Sequence, residues 1–340
     1  MRIAILTRRE HRSPRILAET LAHQLCNVGL EHQLLFDIDV LNRLVGYRDS
    51  KQSFHFWLLK KIIHWFSDRR VMQVLKQADA VVISECIPNA FWKSLYNIEK
   101  LKTILKKPVF IYEVYWLGNA PTQIETLQKN GDSSFERYDG HLFVSPVTEI
   151  RSTPSPNAFC VGLLAKTWNL KPLPKKELIA LVDFAQPGYE AYREIQISQL
   201  TKAGIAFIAL ESAYTIEEIR NIYQQVSIFF VQFPEAFGLP ILECLCAGVQ
   251  VFTPNSGWPM SWRLDIEPNV HDTGILPDCF TVYHGEDDLL QKLLAFKENF
   301  QPEVSPLRVF DDLVKYYPGF YIGDDAAVNK FLEFIKNYLN

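Results

Sequence analysis

The chain has no surplus of positive charge. Its 35 Lys and Arg stand against 39 Asp and Glu, a formal net charge of −4 over 340 residues. Proteins that track a nucleic-acid backbone carry a basic excess, so that class is disfavoured. No apolar run approaches the ~18 residues needed to cross a bilayer. The opening MRIAILT is too short an apolar run for a signal peptide and reads as a first strand. Cysteine is sparse: Cys26, Cys86, Cys160, Cys244, Cys246 and Cys279 are scattered, with no C-x-x-C pair. That argues against a disulfide scaffold and against a zinc site. Reduced thiols in a cytoplasmic protein are the expectation. Internal repeats and low-complexity tracts are absent as well.

Apolar residues make up 48% of the chain, which excludes disorder as a description of the whole. At roughly 150 residues per domain the length predicts two domains. Aromatic residues reach 13%; core packing explains such a load more simply than a sugar-stacking surface does.

Short apolar runs alternate with amphipathic stretches. Strands are predicted over 2–7, 32–37, 80–84, 108–112 and 141–145, and again over 178–184, 205–210, 227–231 and 249–252. Helices are predicted between them, including one long helix over 54–77, a short one over 240–247 and an amphipathic one over 326–339. This alternation implies right-handed βαβ units and parallel sheets covered on both faces. The polar, proline-bearing segment TEIRSTPSP at 148–156 is the best linker candidate. The fold class predicted is α/β: two doubly wound, Rossmann-like domains with a cleft between them. The first would span 1–150 and the second 151–325, with the helix over 326–340 packing back on the first.

The most informative stretch is FPEAFGLPILECLCAG at 233–248. A strand ends near Gln232, a turn holds Glu235, Ala236, Phe237 and Gly238, and a helix opens at Leu239-Pro240. Pro at the first helical position forfeits no hydrogen bond. Free amides and the positive end of the helix dipole make an anion site that suits a diphosphate. Glu235 lies at its mouth and Glu243 is expected in its first turn. Carboxylates there accept hydrogen bonds from sugar or ribose hydroxyls.

The two glutamates eight positions apart, the F-G-L-P turn, the pair Ala247-Gly248 and the strand VQVF resemble the E-x7-E motif of retaining GT-B glycosyltransferases, glycosyltransferase family 4 in particular. The resemblance implies that Glu235 lies at the donor sugar's hydroxyls and that Glu243 binds the nucleotide ribose. It implies that Phe237, Gly238 and Leu239 hold sugar and phosphate through their backbone. No metal is needed in that mechanism and no cofactor beyond the nucleotide-sugar donor. Two departures stand out. The family's diphosphate-clamping Arg and Lys are represented only by Lys166, with Leu163 where the Arg would stand. The strand run at 159–164 is also too close to the one at 178 for a comfortable crossover.

Other loops carry chemistry. Arg8, Arg9, Arg12 and Arg15 surround Ser13-Pro14 at the end of the first strand, where a phosphate could rest on a helix start between arginine forks. Solvated loop arginines are the alternative. Glu113 follows the strand PVFIY in the loop EVYWLGN and is a second candidate near the reacting sugar. Asp37-Ile38-Asp39 has the D-x-D form of metal-dependent GT-A enzymes, but here it lies in a GT-B-like array and no metal ligand is assigned. The segment FHFWLLKKIIHWFSDRR at 54–70 is basic and amphipathic and could lie on an anionic membrane; a surface helix docked on its own sheet is the alternative. The expected function is transfer of a sugar to a glycan or lipid-linked acceptor in polysaccharide or glycolipid biosynthesis, at the cytoplasmic side. A GT-B-like protein that binds glycans or a partner without turnover is the second expectation, and an epimerase the third.

Overall fold

The computed structural model describes residues 1–8, 12–36, 38–46, 54–85, 98–131, 134–232, 235–254, 260–265 and 275–339. Among these residues the apolar runs form two sheets, one of six strands and one of five, with every ladder parallel. The chain divides into two units. One comprises Met1–Pro146, Ser152–Leu163 and Gly323–Asn340; the other comprises Val147–Arg151 and Leu164–Ile322.

In the first unit the strands are β1 (Arg2–Leu6), β2 (Glu31–Leu35), β3 (Ala80–Ser84), β4 (Val109–Tyr115), β5 (Gly140–Ser145) and β6 (Ala158–Cys160), in the order β2-β1-β3-β4-β5-β6. The helices are α1 (Arg12–Asn27), α2 (Asp39–Val45), α3 (Phe54–Ile63), α4 (Trp65–Gln77), α5 (Ile98–Leu105) and α6 (Pro121–Lys129). Strand β3 is buried at all five positions and β4 at all seven, as expected for strands covered on both faces. Edge strand β2, EHQLL, has no fully buried residue. On one face Ile83, Val109 and Ile111 meet Leu75 of α4 and Leu101 of α5. On the other, Phe110 and Phe159 meet Phe331, with ring centroids 5.0 and 5.5 Å apart.

The second unit holds β7 (Ile179–Val182), β8 (Ala206–Ala209), β9 (Ile228–Phe230), β10 (Gln250–Thr253) and β11 (Phe280–Val282), in the order β11-β10-β9-β7-β8. Its helices are α7 (Glu190–Ala203), α8 (Ile216–Gln225), α9 (Leu239–Cys246), α10 (Gly285–Asn299), α11 (Ser305–Tyr316) and α12 (Pro318–Tyr321). Val182, Phe230 and Phe252 pack against Leu200 of α7 and Leu289 and Leu293 of α10. The last helix, α13 (Asp325–Leu339), supplies Phe331 to the first unit.

The division of the chain differs from the expected boundary at 150/151. The run at 158–160 pairs in parallel with β5 and completes the first sheet, so it is not the opening strand of the second. That removes the crossover that looked too short, because the second sheet begins only at β7. After β6 the chain leaves the first unit beside the point where it returns: the Asp324 amide donates to the Val161 carbonyl at 3.1 Å, and Gln24 Nε2 donates to the same oxygen at 2.8 Å. The expected long helix over 54–77 is broken at His64 into α3 and α4.

Lys175 ties the motif helix into the second unit. It is 3% exposed. Its ammonium donates to the carbonyls of Tyr223, Gln224 and Ala247, the ends of α8 and α9, at 3.4, 2.9 and 2.9 Å. One buried cation thus satisfies carbonyls that two helix C-termini would leave orphaned. Burial pulls its pKa down to about 8 from 10.5. Between those values the unfolded chain binds a proton that the folded chain has released, so stability rises with pH across that window. Urea titrations from pH 7.5 to 10.5 are expected to show that rise in the natural protein and not in Lys175→Met. At pH 7 that variant is expected to lose about 1–3 kcal/mol from the unsatisfied carbonyls.

Candidate active site

In an open α/β sheet the connections leaving two neighbouring strands diverge where the strand order reverses, and a crevice forms outside the carboxyl ends. In the second unit that point lies between β7 and β9, since β8 lies beyond β7 while β10 and β11 lie beyond β9. The two strand ends are joined by Gln232, whose amide donates to the Asp183 carbonyl at 2.8 Å. Arg193 Nε donates to the same carbonyl at 3.1 Å. The E-x7-E segment leaves β9 at this position and enters α9.

The turn is held by aromatic side chains. Phe237 is fully buried, stacks on Trp262 at 5.4 Å and meets Phe320 edge-on at 4.9 Å. Trp262 Nε1 donates to the Phe237 carbonyl at 2.5 Å, the Tyr317 hydroxyl donates to the Trp262 carbonyl, and the Ser261 amide donates to the Ala236 carbonyl at 2.7 Å. Gly238 is required twice over. Its φ is +67°, and a Cβ there would lie 2.7 Å from Glu235 Cγ and 2.9 Å from Ile241 Cδ1. The Glu235 side chain therefore lies directly over the start of α9. No described backbone carbonyl takes the Gly238 or Leu239 amide, and an anion at a helix start meets oriented amides and the positive dipole end. Gly248 closes the segment: a Cβ there would come within 2.6 Å of Pro306.

Glu243 occupies a different place from the expected one. Helix α9 starts at Leu239 with no acidic residue in its first turn, so Pro240 is its second residue and Glu243 lies a turn further along. Glu243 has no exposed surface. Its Oε1 accepts from Arg220 Nε of α8 at 2.9 Å. Arg220 lies 5.3 Å from the Trp168 ring centroid and donates to the Trp168 carbonyl at 3.4 Å. A carboxylate buried in this way is charge-compensated by the protein itself. Lys166 lies in the 3-10 turn Ala165–Trp168, which borders α9. Its side chain is exposed, and no described residue pairs with it.

The first sheet reverses its order between β1 and β3, whose carboxyl ends carry Arg8 and Glu85. Arg8 Nε donates to Glu85 Oε1 at 3.1 Å, and Asp39 lies 3.5 Å from its NH1. Arg8 is 11% exposed and Glu85 6%, so this guanidinium answers a buried acid, not a ready phosphate site. Arg12 is the first residue of α1. Arg9 and Asp37 lie outside the described residues. Glu113 also differs from expectation: β4 runs on to Tyr115, so Glu113 belongs to the strand and not to a loop, and it has no exposed surface. Its carboxylate meets His141 Nδ1 at 3.2 Å, its Oε2 has no partner among the described residues, and burial holds its pKa above the ordinary value. Trp116, just past the end of β4, is buried and stacked on Phe143 at 5.3 Å. Sequence reasoning missed Arg220, Trp262 and Lys175, because their partners are distant in the chain and no spacing signals them.

No protein-family model matches the chain, and no curated protein matches it by sequence. Among solved structures, HepE of Anabaena, in complex with UDP and glucose, superposes with a TM-score of 0.51 at 11% identity, covering 99% of both chains. The fold is GT-B. At that identity the likeness speaks for fold alone. UGT2 of Phytolacca americana (TM-score 0.46, 11% identity, 99% and 98% of the two chains) and MurG of Acinetobacter baumannii (0.38, 14%, 99% and 98%) are more distant in structure.

Two outcomes follow for the stability of the turn. Gly238→Ala is expected to lose roughly 1–3 kcal/mol in thermal or urea unfolding, from positive φ and the clash with Glu235. Glu243→Ala leaves Arg220 without its partner and is expected to lose toward the low end of ~3–5 kcal/mol, because Arg220 retains some solvent. The double variant Glu243→Met, Arg220→Met should regain most of that loss; if it does not, the pair does more than compensate its own charges.

Proposed function

We propose that the protein is a retaining glycosyltransferase that moves a sugar from a nucleotide-sugar donor to a glycan or lipid-linked acceptor, in polysaccharide or glycolipid biosynthesis. The observation that carries this reading is Glu235 lying over the start of α9 at the strand-order reversal of the second sheet. A donor diphosphate on the Gly238 and Leu239 amides would set its sugar beside Glu235. Charge growing on the leaving diphosphate would meet donors that are already oriented, which is the efficient form of electrostatic catalysis. In a front-face attack the departing diphosphate oxygen takes the acceptor proton, and configuration is retained. HepE was crystallised with UDP and glucose, so a UDP-sugar is the first donor to test. A cytoplasmic enzyme resting peripherally on the inner membrane face through 54–70 would reach a lipid-linked acceptor.

A second reading is favoured by Glu243. Arg220 already takes the carboxylate that the family motif would offer to a ribose, and Lys166 is the sole candidate cation carried over from the motif. A GT-B-like protein that binds a nucleotide sugar or glycan without turnover would tolerate both features. Release of UDP from UDP-sugars with and without glycan and lipid acceptors separates the two. Under the transferase reading, Glu235→Gln lowers turnover by roughly a hundredfold. Its affinity for free UDP by titration calorimetry stays within about threefold, the signature of an interaction that matters in the transition state. Binding of UDP with no turnover of any donor would establish the second reading. Unchanged turnover in Glu235→Gln would make the turn purely structural.

A further inference from the structure

The second unit holds a cavity of about 280 Å³ at the amino ends of β10 and β11, the opposite end of the sheet from the E-x7-E crevice. Gln250, the first residue of β10, lines it together with Asp278, Phe296 of α10, Phe300, and Arg308 and Asp312 of α11. Gln250 is 8% exposed. Its Nε2 donates to the Asp278 carbonyl at 2.7 Å and to the Thr281 hydroxyl at 3.0 Å. A carbonyl only accepts, so the amide orientation is fixed. Oε1 takes no hydrogen bond from a described residue and is the polar atom that this buried side chain leaves to the cavity. Asp312 is half-buried. Burial and the like charge of Asp278 hold its pKa above the ordinary value, and the Cys279 amide and Lys315 offset only part of that. Lys315 is exposed and donates to the Tyr316 hydroxyl at 2.8 Å, and Arg308 is exposed as well. With Asp311, three carboxylates thus outnumber two solvated cations. Phe296 and Phe300, ring centroids 5.8 Å apart, form the apolar wall.

We propose that this cavity binds a small primary ammonium compound, its three N–H groups shared among Asp278, Asp312 and Gln250 Oε1 and its alkyl stem lying on Phe296 and Phe300. An ammonium carries three donors and no acceptor, and the lining meets it with acceptors that the protein itself leaves open. Phenyl faces attract a cation and shelter the stem. A bound cation also relieves the repulsion between the two carboxylates. The volume lies just below the ~300–1,000 Å³ of drug-sized sites, which suits an amine of a few carbons. A bare divalent ion fits less well, because it calls for about six or more oxygen ligands and much of this wall is phenyl. The site goes beyond the transferase reading and does not depend on it.

Ligand-observed NMR titration of the full chain with n-butylammonium, beside 1-butanol as the uncharged analogue, tests the assignment. Saturable binding with a Kd of a few millimolar or tighter is expected, and 1-butanol should bind at least about tenfold more weakly. Asp312→Asn should weaken n-butylammonium by about tenfold or more, the loss of a charge-assisted hydrogen bond. Asp278→Asn should weaken it by about threefold, since that acid is the more solvated. Both substitutions keep the side-chain shape and remove a like charge, so melting temperatures should hold or rise. Asp278 is exposed, so its variant carries the test alone if Asp312→Asn melts early. No saturation by about 50 mM n-butylammonium overturns the proposal. Equal binding of 1-butanol reduces the site to an apolar hole, and binding unchanged in both variants places it elsewhere; either result overturns it too. Mg²⁺ or Ca²⁺ binding more tightly than the amine, and lost in Asp312→Asn, would assign the cavity to a divalent ion instead. UDP titration of the same variants should match the natural chain, so this site and the donor site stand or fall separately.

Discussion

The candidate site depends on one hydrogen bond in an aromatic setting, from the Trp262 indole to the Phe237 carbonyl. A strand-to-helix turn with a positive-φ glycine at its centre has little local reason to stay in one shape. Phe237 anchors it by filling a slot between Trp262 and Phe320, and the indole takes the carbonyl that such burial would leave unsatisfied. Tyr317 in turn accepts responsibility for the Trp262 carbonyl by donating its hydroxyl to it. Glu235 and the start of α9 stay in register because their backbone is held from behind. The far end of α9 is held as firmly, by Lys175 at its last carbonyl and by Pro306 against Gly248. A helix of eight residues is thereby fixed at both ends, which local propensity alone would not achieve.

The same chain shows how burial reassigns charged residues. Glu243, Glu113 and Arg8 each read as ligand-facing in one dimension. Each is enclosed in the folded protein and paired with a partner: Arg220, His141 and Glu85. An ionised group enclosed without compensation would be too costly to persist, so the fold supplies an opposite charge or hydrogen bond nearby. Glu235 lies on the exposed side of the turn, half-buried, which leaves it the carboxylate of the motif nearest to solvent.

Much of the architecture was legible in the residues. Runs such as AVVIS, PVFIY and SIFFV are too uniformly apolar for a half-exposed sheet, and they became β3, β4 and β9 in parallel ladders. The amphipathic end of the chain became α13. Strand β11 and helices α10 and α11 lie outside the elements expected from the sequence, although FTV and the spaced leucines of α10 carry the same kind of signal. The run at 158–160 was assigned to the wrong sheet. Periodicity identifies a strand but carries no information on which ladder it joins; that choice lies in the pairing with β5.

The sequence by itself determined the two-sheet α/β class, the strand–turn–helix form of 228–246 and the amphipathic character of 54–70. These follow from local rules: the period of apolar residues, the steric needs of glycine and proline, and the charge of a helix end. Tertiary structure alone decided which glutamate of the pair faces outward, which arginine is already spent on an acid, and that the apolar face of α3 remains uncovered. Burial and pairing depend on residues dozens of positions away, Arg220 from Glu243 and Glu85 from Arg8, and no local pattern encodes a distance that only folding closes.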